Sequence, residues 1–292
     1  MATCLAACGG GEEGSTEATR EPLRIVEPGA LALDSAGSLY VADRALHRVI
    51  RIDLDSRERS VAVTGIRDIV GLAFDDTGRL HVCAGERIYR VERTRKTVVA
   101  GTGARGHAGD LGPATEASLA GAGGFEIDHD ETIYIAEYDN TVRFIHPDGV
   151  IETLAGTGKE GYAGDGGPAR QALAAHPHDV AVRRNGVVVA DSHNRVLRFI
   201  AHAGWIRTLA RGFDAPVVVE GGPGDSLYVA DAGKNAIFRL APGQRRPKLV
   251  GEATVPFGLA VDGDATMYVS ELDGARRVLR IAADGATTVL SP

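Results

Sequence analysis

Large rings are scarce in this chain. Aromatic residues make up 5% of 292 positions, Trp occurs once and Met twice. A core built from these residues must therefore rest on Val, Ile, Leu and Ala packed in many small contacts. Cysteine occurs three times, at Cys4, Cys8 and Cys83, which supplies neither a disulfide framework nor a metal-type spacing. Cys83 reads as a small buried apolar side chain. No run is long and apolar enough to span a bilayer. Basic charge is not in excess: 32 Lys and Arg face 39 Asp and Glu, for a net charge of -7. That balance excludes a general nucleic-acid binder, which needs a basic face. The chain also lacks a Gly-Lys-Ser/Thr phosphate loop, a Gly-x-Ser-x-Gly elbow and a plausible Cys/His nucleophile pair.

What the chain has in quantity is repetition. Leu39-Tyr40-Val41-Ala42-Asp43 returns as Ile133-Tyr134-Ile135-Ala136-Glu137, Leu227-Tyr228-Val229-Ala230-Asp231 and Met267-Tyr268-Val269-Ser270-Glu271. Looser copies are Leu80 to Ala84 and Val187 to Asp191. Each copy follows a short apolar run closed by an acid and a turn, as in Ala30 to Gly37. Each precedes a strand in which a basic residue alternates with apolar ones, such as Val142-Arg143-Phe144-Ile145, and then a fourth run such as Ile151-Glu152-Thr153-Leu154. Short β-branched runs separated by Gly, Asp and Asn turns read as antiparallel strands joined by hairpins. Six units of about 44 residues fall in the blade range. One blade cannot bury both faces of its sheet, so the expectation is an all-β, six-bladed β-propeller of four-stranded antiparallel blades. Residues 23–292 form that ring, which closes with its own last strand, Thr287 to Leu290, as the outer strand of blade six.

The pattern of apolar-run-Asp, turn Gly, Leu-Tyr-Val-Ala-Asp and Val-x-Arg-Ile resembles the NHL repeat, over essentially everything after residue 28. Two connectors sharpen the likeness: Ala100-Gly101-Thr102-Gly103 through Gly109-Asp110-Leu111-Gly112-Pro113-Ala114, and Ala155-Gly156-Thr157-Gly158 through Gly164-Asp165-Gly166-Gly167-Pro168-Ala169. They are similar to connectors of bacterial NHL proteins and of the NHL region of teneurins. The resemblance implies a fold more than a chemistry, since such propellers include binding scaffolds and a few enzymes.

Residues 1–22 read as a separate segment. Leu5-Ala6-Ala7-Cys8 resembles a bacterial lipobox, and the Gly/Glu/Ser/Thr stretch behind it has linker composition. The expectation is a lipid anchor at Cys8 and an extracytoplasmic, membrane-tethered protein. Because only seven residues precede Cys8, this requires a signal upstream of Met1.

Strand alternation puts both long connectors, the turns beginning at the repeated acids and the start of every inner strand on one rim, where they should overhang the channel mouth. Long loops on a rigid scaffold are where binding usually lives. His107 and Tyr162, at matching connector positions, are the expected contacts, with Asp110 and Asp165 beside them. Asp191 and His193 sit in the turn after the repeated strand of unit four, although Asp/Asn turn chemistry accounts for these acids on its own. The inner strands start at Gly29, Val70, Gly123, His178, Ala215 and Phe257. His176-Pro177-His178-Asp179 resembles the zinc-binding segments of NHL-type amidating lyases, but one blade supplies a histidine and five do not. The carboxylate and Asn set of lactonase propellers is likewise not evident. The reading is a monomeric, non-catalytic propeller that binds a protein, peptide or glycan at this rim. It has no resident cofactor, with a divalent cation in the channel left open. The alternative is a metal-assisted lyase or lactonase with a divergent channel site.

Overall fold

Twenty-four strands arranged as six four-stranded sheets form the body of the computed structural model, which describes residues 23–93 and 95–291. Within each sheet the strands pair in chain order, antiparallel throughout. The inner strands are Pro28–Leu33, Ile69–Phe74, Ala122–Ile127, Pro177–Arg183, Pro216–Gly222 and Pro256–Val261. The six repeated segments all lie in the second strands, from Leu39–Asp43 to Met267–Glu271. Among the described residues, helix is confined to three single 3-10 turns. The ring is the six-bladed propeller that the repeats require.

The core is a series of seams between blades, because each sheet buries both faces against its neighbours. The absence of large rings is met by small side chains in dense layers. Between blades four and five, for instance, Ala181, Val188, Ala190 and Leu197 pack with Phe213, Val219 and Val229. Every inner strand carries a β-bulge just after its first residue. A bulge bends and re-aims a strand where it enters a crowded centre.

Closure follows the expectation. Thr287–Ser291 pairs with Val278–Ile281 as the outer strand of blade six, and Leu23 to Val26 adds no strand there. That leading segment instead crosses the seam. Arg59 donates to the Leu23 carbonyl and to the Leu290 carbonyl, both at 2.9 Å, and Ile25 is buried with Tyr268 and Val278. The Ser270 hydroxyl adds a direct link by donating to the Gly29 carbonyl at 2.7 Å.

The two long connectors do not overhang the channel mouth as expected. Each runs down the outer edge of the blade that follows it. Gly112–Pro113 pairs with Val150–Ala155 as a fifth strand of blade three, and Pro168 bridges to Trp205 beside the outer strand of blade four. Their alanines fill seams: Ala114 and Ala117 between blades two and three, Ala169 and Ala172 between three and four. The reason is hydrogen-bond supply, since an outer strand leaves a row of unpaired donors and acceptors that a Gly-rich segment can satisfy. The Ala-Gly-Thr-Gly openings serve the same end. Gly101 and Gly156 have φ of +88° and +90°, and a Cβ there would stand 2.0 and 2.2 Å from the carbonyl oxygens of Glu86 and Asn140.

Candidate functional site

The repeated acids decide which residues are free to act. Asp43, Glu137, Asp191, Asp231 and Glu271 are all buried. Each accepts backbone N–H groups from the segment that leads into its own blade. Asp231 takes those of Asp214 and Ala215, at 2.8 and 2.9 Å, and also that of Lys234. Asp43 takes Val26 and Glu27, Glu137 takes Ala120, Asp191 takes Ala175, and Glu271 takes Thr254. The acids are staples that fix each incoming crossover. That goes beyond the turn chemistry read from the sequence, and it commits the Asp191 oxygens to Ala175 and Asn194.

Asp110 and Asp165 anchor their connectors in the same way on buried guanidinium groups. Arg143 donates through Nε and Nη2 to Asp110 and through Nη1 to the Ser118 carbonyl. Arg198 donates to Asp165 and to the carbonyls of Leu173 and Ala163. Thr153 and Thr208 each give an N–H and an O–H to the other carboxylate oxygen. Burial opposes the charge of both acids, but these donors hold each below the usual carboxylate range.

His107 and Tyr162 are not free loop tips. The His107 Nδ1 lies 2.8 Å from Asp139 and its Nε2 lies 3.0 Å from the Thr153 hydroxyl. Asp139, with Glu137 behind it, pushes the imidazole up to about 9, so it is a cation at neutral pH. Tyr162 is held by Arg211 and Thr208, with Arg198 over its ring. Among the described residues, His107, Glu137 and Asp139 are also the one group of His and carboxylate ligand atoms gathered within 4.8 Å. The Arg143 guanidinium stands 4.0 Å from Glu137, so a cation already faces the inner carboxylate of this group.

The channel mouth over blades three and four is differently built. The residues after the first position of each inner strand are Gly29, Val70, Gly123, His178, Val217 and Phe257, with Val217 standing where the sequence alignment put Ala215. The pairing of Pro216 with Asp231 fixes that frame. Gly123 leaves room for its neighbours: a Cβ there would meet the His178 carbonyl oxygen at 2.3 Å and the Tyr138 ring at 2.8 Å. Into this space Tyr138 stacks on His176, with centroids 4.3 Å apart and planes 13° apart. His176 stacks in turn on His193, at 4.6 Å and 10°. The Tyr138 hydroxyl lies 3.4 Å from the His178 Nε2, whose Nδ1 faces the Val217 carbonyl at 2.9 Å. Burial, with His176 nearby, pushes His178 down to about 4 and keeps it neutral. The result is a slab of three parallel rings at the mouth, with the outermost, His193, exposed. Sequence reasoning flagged His178 and His193, met His176 only as part of a zinc-type segment, and missed Tyr138. The signal of Tyr138 and His176 was faint, one aromatic and one His beside the repeated motif, each in a single copy.

Below the mouth lies a cavity of about 270 Å³ lined by the inner strands. Most of its wall is Ala, Gly, Val and Leu. At the register position occupied by Ala32, Ala73, Ala181 and Ala260, blades three and five carry Glu126 and Glu220. Glu126 accepts the Val182 N–H of blade four, and Asp179 accepts the Val219 N–H of blade five at 2.9 Å. These carboxylates tie neighbouring inner strands that share no ladder. The Glu220 carboxylate takes no hydrogen bond from the described residues. Burial pushes Glu126 up to about 7 and moves Asp179 and Glu220 well above the carboxylate range, their mutual repulsion adding to it.

Comparison with known proteins agrees with this architecture. A chain of the nidogen/laminin complex superposes with a TM-score of 0.64 at 17% identity, covering 91% of this chain and 94% of that one. A streptogramin B lyase gives 0.60 at 13%, covering 91% and 83%, and the virginiamycin B lyase of Staphylococcus aureus gives 0.58 at 15%, covering 92% and 86%. At these identities the likeness is one of fold. A comparison with curated proteins finds no match. The teneurin NHL domain matches residues 6–163, more than half of the 292, taking in the first connector and the opening of the second. By that match, and by six blades built on one repeated strand, the chain belongs to the teneurin NHL domain family.

Proposed function

We propose that this propeller is a non-catalytic recognition module that holds a protein, peptide or glycan at the channel mouth over blades three and four. One observation carries the reading: the Tyr138, His176 and His193 rings stack into a slab whose outer face meets solvent. Parallel rings present a rigid, amphipathic surface at little entropic cost, which is how recognition surfaces gain affinity. The connectors support this rim from the side. They lock Arg143 and Arg198, and through them the turns that carry Tyr138 and His193.

The nidogen/laminin neighbour is a propeller seen with a protein partner, and the streptogramin lyases are propellers of the same shape named for an activity. Binding is favoured here because the inner-strand starts offer one imidazole, His178, whose Nδ1 is already turned to a backbone carbonyl. Cys8, where a lipid anchor and hence an extracytoplasmic setting are expected, lies outside the described residues. Anchor and setting remain part of the proposal, tested by mass spectrometry of membrane fractions.

The test is a screen of immobilised peptides and glycans with the purified propeller, its His193→Ala/Tyr138→Ala variant and a Ser35→Ala/Thr77→Ala control on the opposite rim. Hits retained by the control and lost by the mouth variant are expected. Hits lost by the control and kept by the mouth variant assign the function to the other face. Turnover of quinupristin by the wild-type protein would replace the binding reading with a lyase.

A further inference from the structure

Between Arg183 and Lys248 the chain carries eleven Lys and Arg against five Asp and Glu, the reverse of its overall balance of 32 against 39. The fold collects much of this excess in a cleft of about 900 Å³ on the outer wall between blades four and five, away from the mouth. Arg207 and Arg211 rise from the outer strand of blade four, Ile206–Arg211. Lys234, Arg245 and Arg246 come from two turns of blade five. The one acid on its wall, Asp165, is committed to Arg198 and Thr208. A smaller hollow of about 190 Å³ continues it, sharing Arg207 and Leu209 and adding Arg184. Arg245 and Arg246 are exposed and make no ion pair or hydrogen bond through their side chains among the described residues.

We infer that this cleft binds an extended acidic peptide segment in which an apolar residue is flanked by Asp or Glu. The floor between the cations is apolar, made by Leu209, Phe238 and Pro247. Guanidinium groups on both walls match carboxylates in bidentate geometry and lose less solvation than ammonium groups. The choice of a peptide over a sulfated glycan rests on the apolar floor, which a fully polar polyanion leaves unmatched. The choice over single-stranded nucleic acid rests on the rings, since bases need an open aromatic face to stack on. Here each ring bordering the cleft has a cation over it: Arg207 on Phe199, Lys234 on Phe238, and Arg198 and Arg211 on Tyr162. What stays open is charge and aliphatic surface. A chain of net -7 repels acidic partners at long range, so a local patch of this kind selects for close-fitting ones.

The experiment is fluorescence anisotropy with a labelled Glu-Glu-Leu-Glu-Glu peptide, a version with Gly for Leu, a sulfated oligosaccharide and oligo-dT. Each is titrated with wild type, R245E/R246E, and R57E/R67E on blade one. Arg245 and Arg246 hold nothing in place, so unchanged melting of the variant is the expected check. The expected result is binding of the Leu peptide that weakens about 10-fold or more in R245E/R246E, stays unchanged in R57E/R67E and falls with added salt. The Gly version should bind several-fold more weakly. Equal binding to wild type and R245E/R246E overturns the proposal. So does tighter binding of the oligosaccharide or oligo-dT, lost on the same substitutions, because the cleft would then serve another class of polyanion.

Discussion

At the scale of single residues, the chemistry concentrates in side chains that hold backbone in place. Asp231 is the clearest case, with three N–H groups on its two oxygens. Asp231→Ala leaves the half-buried Asp214 and Ala215 N–H groups without acceptors, while Lys234 keeps the Asp231 carbonyl. Each group left unpaired costs about 1–3 kcal/mol. Chemical denaturation should show a loss on the order of 3 kcal/mol, and Asp231→Asn should recover part of it. The channel acids predict the opposite sign. Glu220 has a folded pKa raised above its unfolded value near 4.5, through burial and the charges of Glu126 and Asp179. A raised acid is most compatible with the fold when protonated, so its penalty is absent below pH about 4.5 and grows as pH rises toward the folded value. Glu220→Gln should therefore melt higher than wild type at pH 8, and the gap should shrink to nothing near pH 4.5. A gap that stays constant with pH would mean that Glu220 is not desolvated in the channel.

At the scale of elements, the connectors are parts of the blades they were expected to decorate. Their Gly-rich sequence looked like a displayed loop because composition cannot reveal which edge a segment will cover. The matched spacing from Asp110 to Arg143 and Thr153, and from Asp165 to Arg198 and Thr208, could have revealed it. Each acid lies 33 residues before its Arg and 43 before its Thr, a second repeat hidden behind the first. Arg198→Met removes the donor that the Leu173 and Ala163 carbonyls share with Asp165. The expected loss is on the order of 2–3 kcal/mol from groups left unpaired. Proteolytic cleavage should then appear within 156–176 before it appears elsewhere. Cleavage unchanged from wild type would mean that the connector is held by its seam alanines alone.

At the scale of the whole molecule, the ring was legible because six copies of one strand leave few other solutions. Closure by Thr287–Ser291 was legible too, from the few residues available between Val26 and Ala30 to cross a blade. The face proposed for recognition was harder to read. Tyr138 and His176 come from different blades and meet only because Gly123 lets the inner strands approach. The cleft between blades four and five was legible only in part. The basic excess of residues 183–248 stands in the sequence, but which of its cations share a wall is set by the packing of two blades.

The central claim is that recognition belongs to the mouth over blades three and four. Hydrogen exchange of the propeller with a peptide or glycan taken from the screen tests it most directly. The account predicts new protection at 138–141, at 175–178 and at 193–195, with 34–38 and 75–79 unchanged. Protection confined to those last two turns would contradict it.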